Sequence, residues 1–326
     1  MLPTLLVAAC GLASLALAAP PNIILFITDD QVRGCSRSAA LGALLHSLLT
    51  PPSATPPLLQ DVEMGSLAHM PKVQKLLAAE GAVLSRMYAH VSVCCPSRSS
   101  LISGRYMHNN GCRANSLETN CSSTYFQNHM EPGSFAVALH SGGYRTHYSG
   151  KYLNLYGDPA VGGVAHVPAG WDNWQALVGN SVYYNYQLSN NGTMERHAAD
   201  YATDYLPNVV LNKTLDFLAA NLGGGAPVLA VLSTPSCHGP QTAAPQYQNA
   251  FPGAQAPRGP TYNATVAGTS WLQSTHGGYS FQQPHAEFAD LVFRRRLQTL
   301  LTVDDMVEQV VLALQSKGQL ENTYIV

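Results

Sequence analysis

Charge is scarce in this chain: 11% of its 326 residues are Asp, Glu, Lys or Arg, against about a quarter in an average globular domain. The 17 basic side chains fall short of the 19 acidic ones, so no cationic surplus exists to condense on nucleic acid or an anionic membrane. Nucleic acid is therefore not an expected partner, and no stable membrane association is expected. The sequence also lacks a CxxC pair or any Cys/His cluster at zinc spacing, and it has no heptad array or internal repeat. Gly223-Gly224-Gly225 is a turn without phosphate-loop spacing. Apolar residues, at 46% with 8% aromatic, are plentiful, which excludes a disordered chain. The length allows about two domains or one large α/β unit.

Met1 to Thr28 carries no charged side chain, and Leu5 to Leu17 is a run of Leu, Ala and Val that Pro20-Pro21 breaks. With Ala16-Leu17-Ala18 as an A-x-A pattern, residues 1–19 read as a secretory signal peptide, ahead of a domain over 20–326. An uncleaved anchor and a lipoprotein signal ending at Cys10 are the alternatives. Sequons at Asn120, Asn191, Asn212 and Asn263 agree with an export route. The expected location is extracellular, periplasmic or lysosomal. Removing Cys10 leaves six of seven cysteines. With Cys94 reserved for chemistry, at most two disulfides can form among Cys35, Cys95, Cys112, Cys121 and Cys237.

Strand and helix patterns alternate along the chain, which predicts a layered α/β fold with a central, largely parallel sheet flanked by helices. Asn22 to Thr28 and Val228 to Ser233 read as buried strands. Lys72 to Ala79, Asn208 to Ala220 and Arg294 to Ser316 read as amphipathic helices, with Gly318 as the stop of the last. Thr323 opens a further strand. Val32 to Gln60, rich in Leu, Ala, Ser and Pro, shows no clear period and reads as a surface loop with a short helix.

The densest chemical signal is Cys94-Cys95-Pro96-Ser97-Arg98-Ser99-Ser100-Leu101-Ile102-Ser103-Gly104-Arg105. Pro96 is favoured just inside a helix, which puts Cys94 just before a helix amino terminus. Such a terminus offers free N–H groups and a positive dipole end to an anion, and Arg98 one turn on adds a fork of donors. Adjacent acids Asp29 and Asp30 at the carboxyl end of a buried strand would repel, so a hard cation is expected between them. A helix-capping Asp pair is the bland alternative. Lys151 and His238 carry no signal on their own, and neither do His108, His140 and His147. Trp171, Trp174, Tyr183 and Tyr184 could line a sugar site, although aromatics near strands are more often core.

The Cys94 string resembles the C-x-P-S-R-x-x-x-L-x-[TS]-G signature of the type I sulfatases, whose first cysteine becomes Cα-formylglycine. The resemblance runs over most of the chain. It takes in Ile27 to Gln31, Gly104 to Asn109, Gly150 to Asn154, Gly170-Trp171-Asp172, Leu177 to Ser181, Ser233 to His238, Arg294 to Leu301 and Val303-Asp304-Asp305. It is nearest to the N-acetylglucosamine-6-sulfatase and algal arylsulfatase branch. It implies an alkaline-phosphatase-like fold and a sulfuric ester hydrolase acting on an aryl sulfate or sulfated sugar, matured by a formylglycine-generating enzyme. It further implies Ca²⁺ on Asp29, Asp30 and the oxygen of modified Cys94, with Arg98, Lys151 and His238 on the sulfate ester. In the implied reaction one hydroxyl of the hydrated aldehyde attacks sulfur; deprotonation of the other expels sulfate and restores the aldehyde.

Three features depart from that family. Leu153 stands two residues after Lys151, where many sulfatases have His, so the acceptor of the elimination proton is unassigned. Val32 to Gln60 resembles an insertion between Gln31 and Asp61, such as a retained intron or mispredicted exon. Relatives follow the strand at Thr323 with an Asp-Asn pair on the metal and then a basic residue on the sulfate, and this chain stops before both. The expectation is a carboxyl-terminally truncated polypeptide that binds metal poorly and turns over little. A phosphodiester or phosphonate hydrolase of the same superfamily, or a non-catalytic glycan-binding relative, are the competing readings.

Overall fold

The computed structural model describes residues 19–31, 65–84, 89–259, 262 and 283–326. The apolar amino-terminal run, Val32 to Gln60, Cys35 and the sequon at Asn263 lie outside the described residues.

Among the described residues seven strands form one sheet. β1 is Asn22–Ile27, β2 Arg145–Lys151, β3 Asn173–Leu177, β4 Gln187–Asn190, β5 Thr193–Arg196, β6 Val228–Ser233 and β7 Thr323–Ile325, in the spatial order β5-β4-β3-β2-β6-β1-β7. The contacts β3·β2, β2·β6, β6·β1 and β1·β7 are parallel, whereas β4 and β5 add an antiparallel edge. This bears out the expected α/β architecture with a largely parallel sheet. All six residues of β6 are buried, as a strand covered on both faces requires.

Side chains along the inner strands alternate between two cores. Ile24 of β1 and Val228, Ala230 and Leu232 of β6 meet helices α2 (Leu206–Asn221) and α3 (Gln283–Ser316). Leu229 and Val231 face the other way, towards Tyr148, Trp174 and α1 (Cys94–Ser103). Helix α2 starts two residues before the expected Asn208, because Pro207 lies in a first turn that needs no N–H from it. Helix α3 likewise begins before Arg294, and Gly318, at φ 62°, closes it with N–H bonds from Gly318 to Gln315 and from Gln319 to Leu314.

The helix expected over Lys72 to Ala79 is broken up. Pro71–Val73 is a single α turn that widens into a π turn over Gln74–Ala78, where the Ala79 N–H reaches the Gln74 carbonyl. The carboxylate of Asp304 takes the free N–H groups of Lys72 and Val73. Among the described cysteines one disulfide joins Cys95 to Cys121, leaving Cys94, Cys112 and Cys237 as thiols. Trp174 and Tyr183 are core residues, at 0% and 1% exposure, so they line no sugar site. Among the described residues no helix is long and apolar enough to cross a membrane.

Candidate active site

The carboxyl ends of β1, β2 and β6 converge on the start of α1, where an open parallel sheet presents its ligand site. Cys94 is the first helical residue of α1, with Val93 as its N-cap, and thus not a residue ahead of the helix as expected. The first helical hydrogen bond runs from the Ser97 N–H to the Val93 carbonyl. Pro96 therefore forfeits nothing by lacking an N–H. Cys94 is half-buried, while Cys95 beside it is fully buried, bonded to Cys121 and held by Asn115 at its N–H.

Asp29 is 3% exposed. Its Oδ2 accepts from Lys151 Nζ at 2.6 Å and from the Ser181 hydroxyl, and its Oδ1 accepts from Arg98 Nη2 at 3.2 Å. Burial alone would raise its pKa, but the adjacent Arg98 and Lys151 charges and the donated hydrogen bonds outweigh it and hold the carboxyl below its ordinary value. The backbone is pinned as well: Asp29 N–H donates to Ser236 O, and Cys237 N–H donates to Asp29 O.

Asp30 behaves differently. At φ 61° it turns its carboxylate out to 46% exposure, 3.8 Å from His238 Nε2, while its carbonyl accepts from Arg296. The two acids therefore do not share one environment. The expected mutual repulsion is corrected: Arg98 and Lys151 already compensate Asp29.

Lys151, at the end of β2, is wholly buried. Its carbonyl gathers Arg98 Nη1 at 2.8 Å, Tyr148 OH at 2.5 Å and Ser233 Oγ at 2.6 Å. Gly150 makes this approach possible. It has φ 103°, and a Cβ there would fall 1.9 Å from Ser233 O. Arg98 is 6% exposed, and besides Asp29 and the Lys151 carbonyl it donates to Ser233 Oγ at 2.8 Å. Its fork thus ties the floor of the site together instead of standing free for a sulfate, as the sequence suggested.

His238 follows β6, and its Nδ1 lies 2.7 Å from Gly239 O. A carbonyl only accepts, so Nδ1 carries hydrogen and Nε2 faces the cleft. A hydrogen bond with Cys94 is the main cause raising His238 to about 8, and the same bond lowers the Cys94 thiol. Ligand atoms of Asp29, Cys94 and His238 lie within 4.8 Å of one another.

The structure thus gathers Asp29, Asp30, Cys94, Arg98, Lys151 and His238 at one place. Sequence reading gave no role to Ser181, Ser233 or Tyr148, although the first two lie in segments that carried the family resemblance. His140 pairs with Asp172, and His147 is buried against Asn173 and Thr214. Two adjacent carboxylates suit a hard cation in kind, since Ca²⁺ takes oxygen ligands. They are nevertheless fewer than the six to eight oxygens that ion takes.

The model of the family described as Sulfatase matches residues 21–326. The N-acetylglucosamine-6-sulfatase of Capra hircus is 44% identical over 267 residues, covering 82% of this chain and 47% of that protein. The Homo sapiens N-acetylglucosamine-6-sulfatase is 40% identical over 306 residues, covering 94% of this chain and 50% of its own length. The chain spans about half the length of these relatives. Among solved structures, BT4656 in complex with its substrate D-glucosamine-2-N,6-O-disulfate superposes with a TM-score of 0.60 at 19% identity, covering 94% of this chain and 64% of that one. The protein yidJ of Bacteroides fragilis gives 0.63 at 17% identity, covering 97% and 63%. Both share the fold. Matched by that family model over residues 21–326, the chain belongs to the sulfatase family and has an alkaline-phosphatase-like fold, with a mostly parallel sheet flanked by helices.

Proposed function

We propose that this chain carries the reaction centre of a sulfuric ester hydrolase acting on 6-O-sulfated N-acetylglucosamine or an aryl sulfate, in an extracellular or lysosomal setting. One observation carries the reading: a half-buried cysteine at the first position of a helix, within 4.8 Å of both an acid and a histidine, over a floor of buried cations. Similarity to N-acetylglucosamine-6-sulfatases at 44% and 40% identity supports the substrate class.

Cys94, converted to formylglycine by a generating enzyme, and Ca²⁺ held by Asp29 and Asp30 would together supply an activated oxygen nucleophile and a sink for negative charge. Lys151, held against Asp29 at 2.6 Å, contributes positive charge towards an ester oxygen as negative charge develops there. Arg98 keeps Asp29 in place and contributes positive potential from below. His238 presents Nε2 to the leaving oxygen and donates a proton to it. Helix α1 offers the anion the positive end of its dipole, its Cys95 N–H being taken by Asn115 and its Ser97 N–H by Val93. Among the described residues two carboxylates and modified Cys94 are the donors, fewer than the ion takes, so these ligands alone would hold Ca²⁺ weakly.

The test is hydrolysis of N-acetylglucosamine 6-sulfate, an aryl sulfate and an aryl phosphonate by protein exported from a host with the generating enzyme, beside a carboxyl-terminally extended chain. Sulfate release that Ca²⁺ stimulates and that rises in the longer chain is expected. Phosphonate cleavage without sulfate release would contradict the reading.

A further inference from the structure

The constellation that suits a hard cation after oxidation of Cys94 has a different preference before it. A thiolate, an imidazole and a carboxylate are the donor types that bind Zn²⁺. Here one ligand atom from each of Cys94, His238 and Asp29 lies within 4.8 Å of the other two. Tetrahedral bonds of about 2.0–2.3 Å put such atoms roughly 3.3–3.6 Å apart, so the three need to close by at most about 1.5 Å. We propose that the unconverted chain binds Zn²⁺ through Cys94 Sγ, His238 Nε2 and an Asp29 carboxylate oxygen, with Asp30 as the fourth ligand.

Three features of the site favour this. The Nδ1–H of His238 is spent on the Gly239 carbonyl at 2.7 Å, and this second-sphere bond is the kind that fixes the tautomer of a metal-binding histidine and leaves Nε2 as the donor. The Asp30 carboxylate is 3.8 Å from that same Nε2 and 46% exposed, close enough to join and free enough to move. Asp29 Oδ1 accepts from Arg98 at a long 3.2 Å, while the tighter bonds to Lys151 and Ser181 go to Oδ2.

Conversion of Cys94 to an aldehyde would remove the sulfur ligand and leave oxygens, changing the metal preference from soft to hard. Zinc would then compete with maturation by occupying the thiol to be oxidised. Zinc binding itself belongs to the chain before any change at Cys94 and does not depend on sulfate esters being the substrate.

The test uses the full chain with Cys94 confirmed as a thiol by mass spectrometry and the Cys95–Cys121 disulfide left intact. Co²⁺ is titrated as a spectroscopic stand-in, and Zn²⁺ then displaces it. A thiolate-to-cobalt charge-transfer band at one equivalent is expected, with at least tenfold weaker binding in Cys94→Ser and His238→Gln and no change in Cys112→Ser. Zn²⁺ should also protect Cys94, and not Cys112, from iodoacetamide in the unsubstituted protein. Absence of the band, its survival in Cys94→Ser, its loss in Cys112→Ser, or alkylation of Cys94 at an unchanged rate with Zn²⁺ would each overturn the proposal.

Discussion

The two sides of the site are built to opposite specifications. On one side Asp29, Arg98 and Lys151 are 3%, 6% and 0% exposed and bonded to one another and to Ser181, Ser233 and Tyr148. On the other, Cys94, His238 and Asp30 are partly open to solvent and loosely joined, with the Asp30–His238 pair at 3.8 Å. Buried charges persist only when paired and hydrogen-bonded, so the first side is a fixed frame. The second is joined only by the Cys94–His238 hydrogen bond and that long pair, which leaves it open to the metal and substrate proposed above. Adjacent acids in the sequence thus sit differently: Asp29 anchors the buried cations while still offering an oxygen to a metal, and Asp30 stands open beside His238.

The comparison is broken most strongly by exchanging the two acids' amides. Asp29→Asn leaves Arg98 and Lys151 buried without a counter-charge and should cost about 3–5 kcal/mol in urea unfolding. Asp30→Asn, at a site 46% exposed, should cost less than about 1 kcal/mol. Equal losses would refute the division. Gly150→Ala forces a Cβ against the Ser233 carbonyl at φ 103°; the same unfolding experiment should show a loss of about 2–4 kcal/mol, with sulfate release falling because Lys151 is displaced.

A pH effect of similar size comes from beneath the frame. Burial is the main cause lowering His147 from 6.5 to about 4, so the folded protein keeps it neutral while the unfolded chain protonates it. Its contribution is complete above pH 6.5 and is lost as pH falls through about 4, a change on the order of 3 kcal/mol. Urea unfolding between those limits should fall less steeply for His147→Asn than for the unsubstituted chain. The smallest effect is expected from deleting residues 32–60. Gln31 Nε2 donates to Ser66 Oγ at 2.7 Å, so the ends flanking that segment already meet. Joining Gln31 to Asp61 should change stability by less than about 1 kcal/mol, and loss of folded protein on deletion would show that the segment is integral.

Much of the frame's scaffold is legible in the sequence, because β1, β6 and α2 are apolar blocks bounded by Pro, Gly or Asp. The hairpin β4–β5 is not evident from its polar residues. Its signal is Asn191-Gly192, read as part of a sequon, where φ values of 48° and 86° make the two-residue turn that Asn-Gly favours. Motif and strand-end logic point to Asp29, Asp30, Cys94 and Arg98, and the family resemblance adds Lys151 and His238, but neither gives their pairing. Lys151 lies 122 positions from Asp29, and Ser181 lies 152; only the sheet order brings them together. Likewise the fork of Arg98 suggests an anion ligand from sequence, while its burial assigns it to Asp29 and to the Lys151 carbonyl.

The central claim is that Cys94 becomes an aldehyde. Mass analysis of the reduced tryptic peptide ending at Arg98, from protein exported by a host with the generating enzyme, tests it directly. The account predicts loss of one sulfur and two hydrogens and gain of one oxygen at Cys94, together with sulfatase activity that Cys94→Ala abolishes. An intact thiol at Cys94 in protein that cleaves sulfate esters undiminished would contradict it.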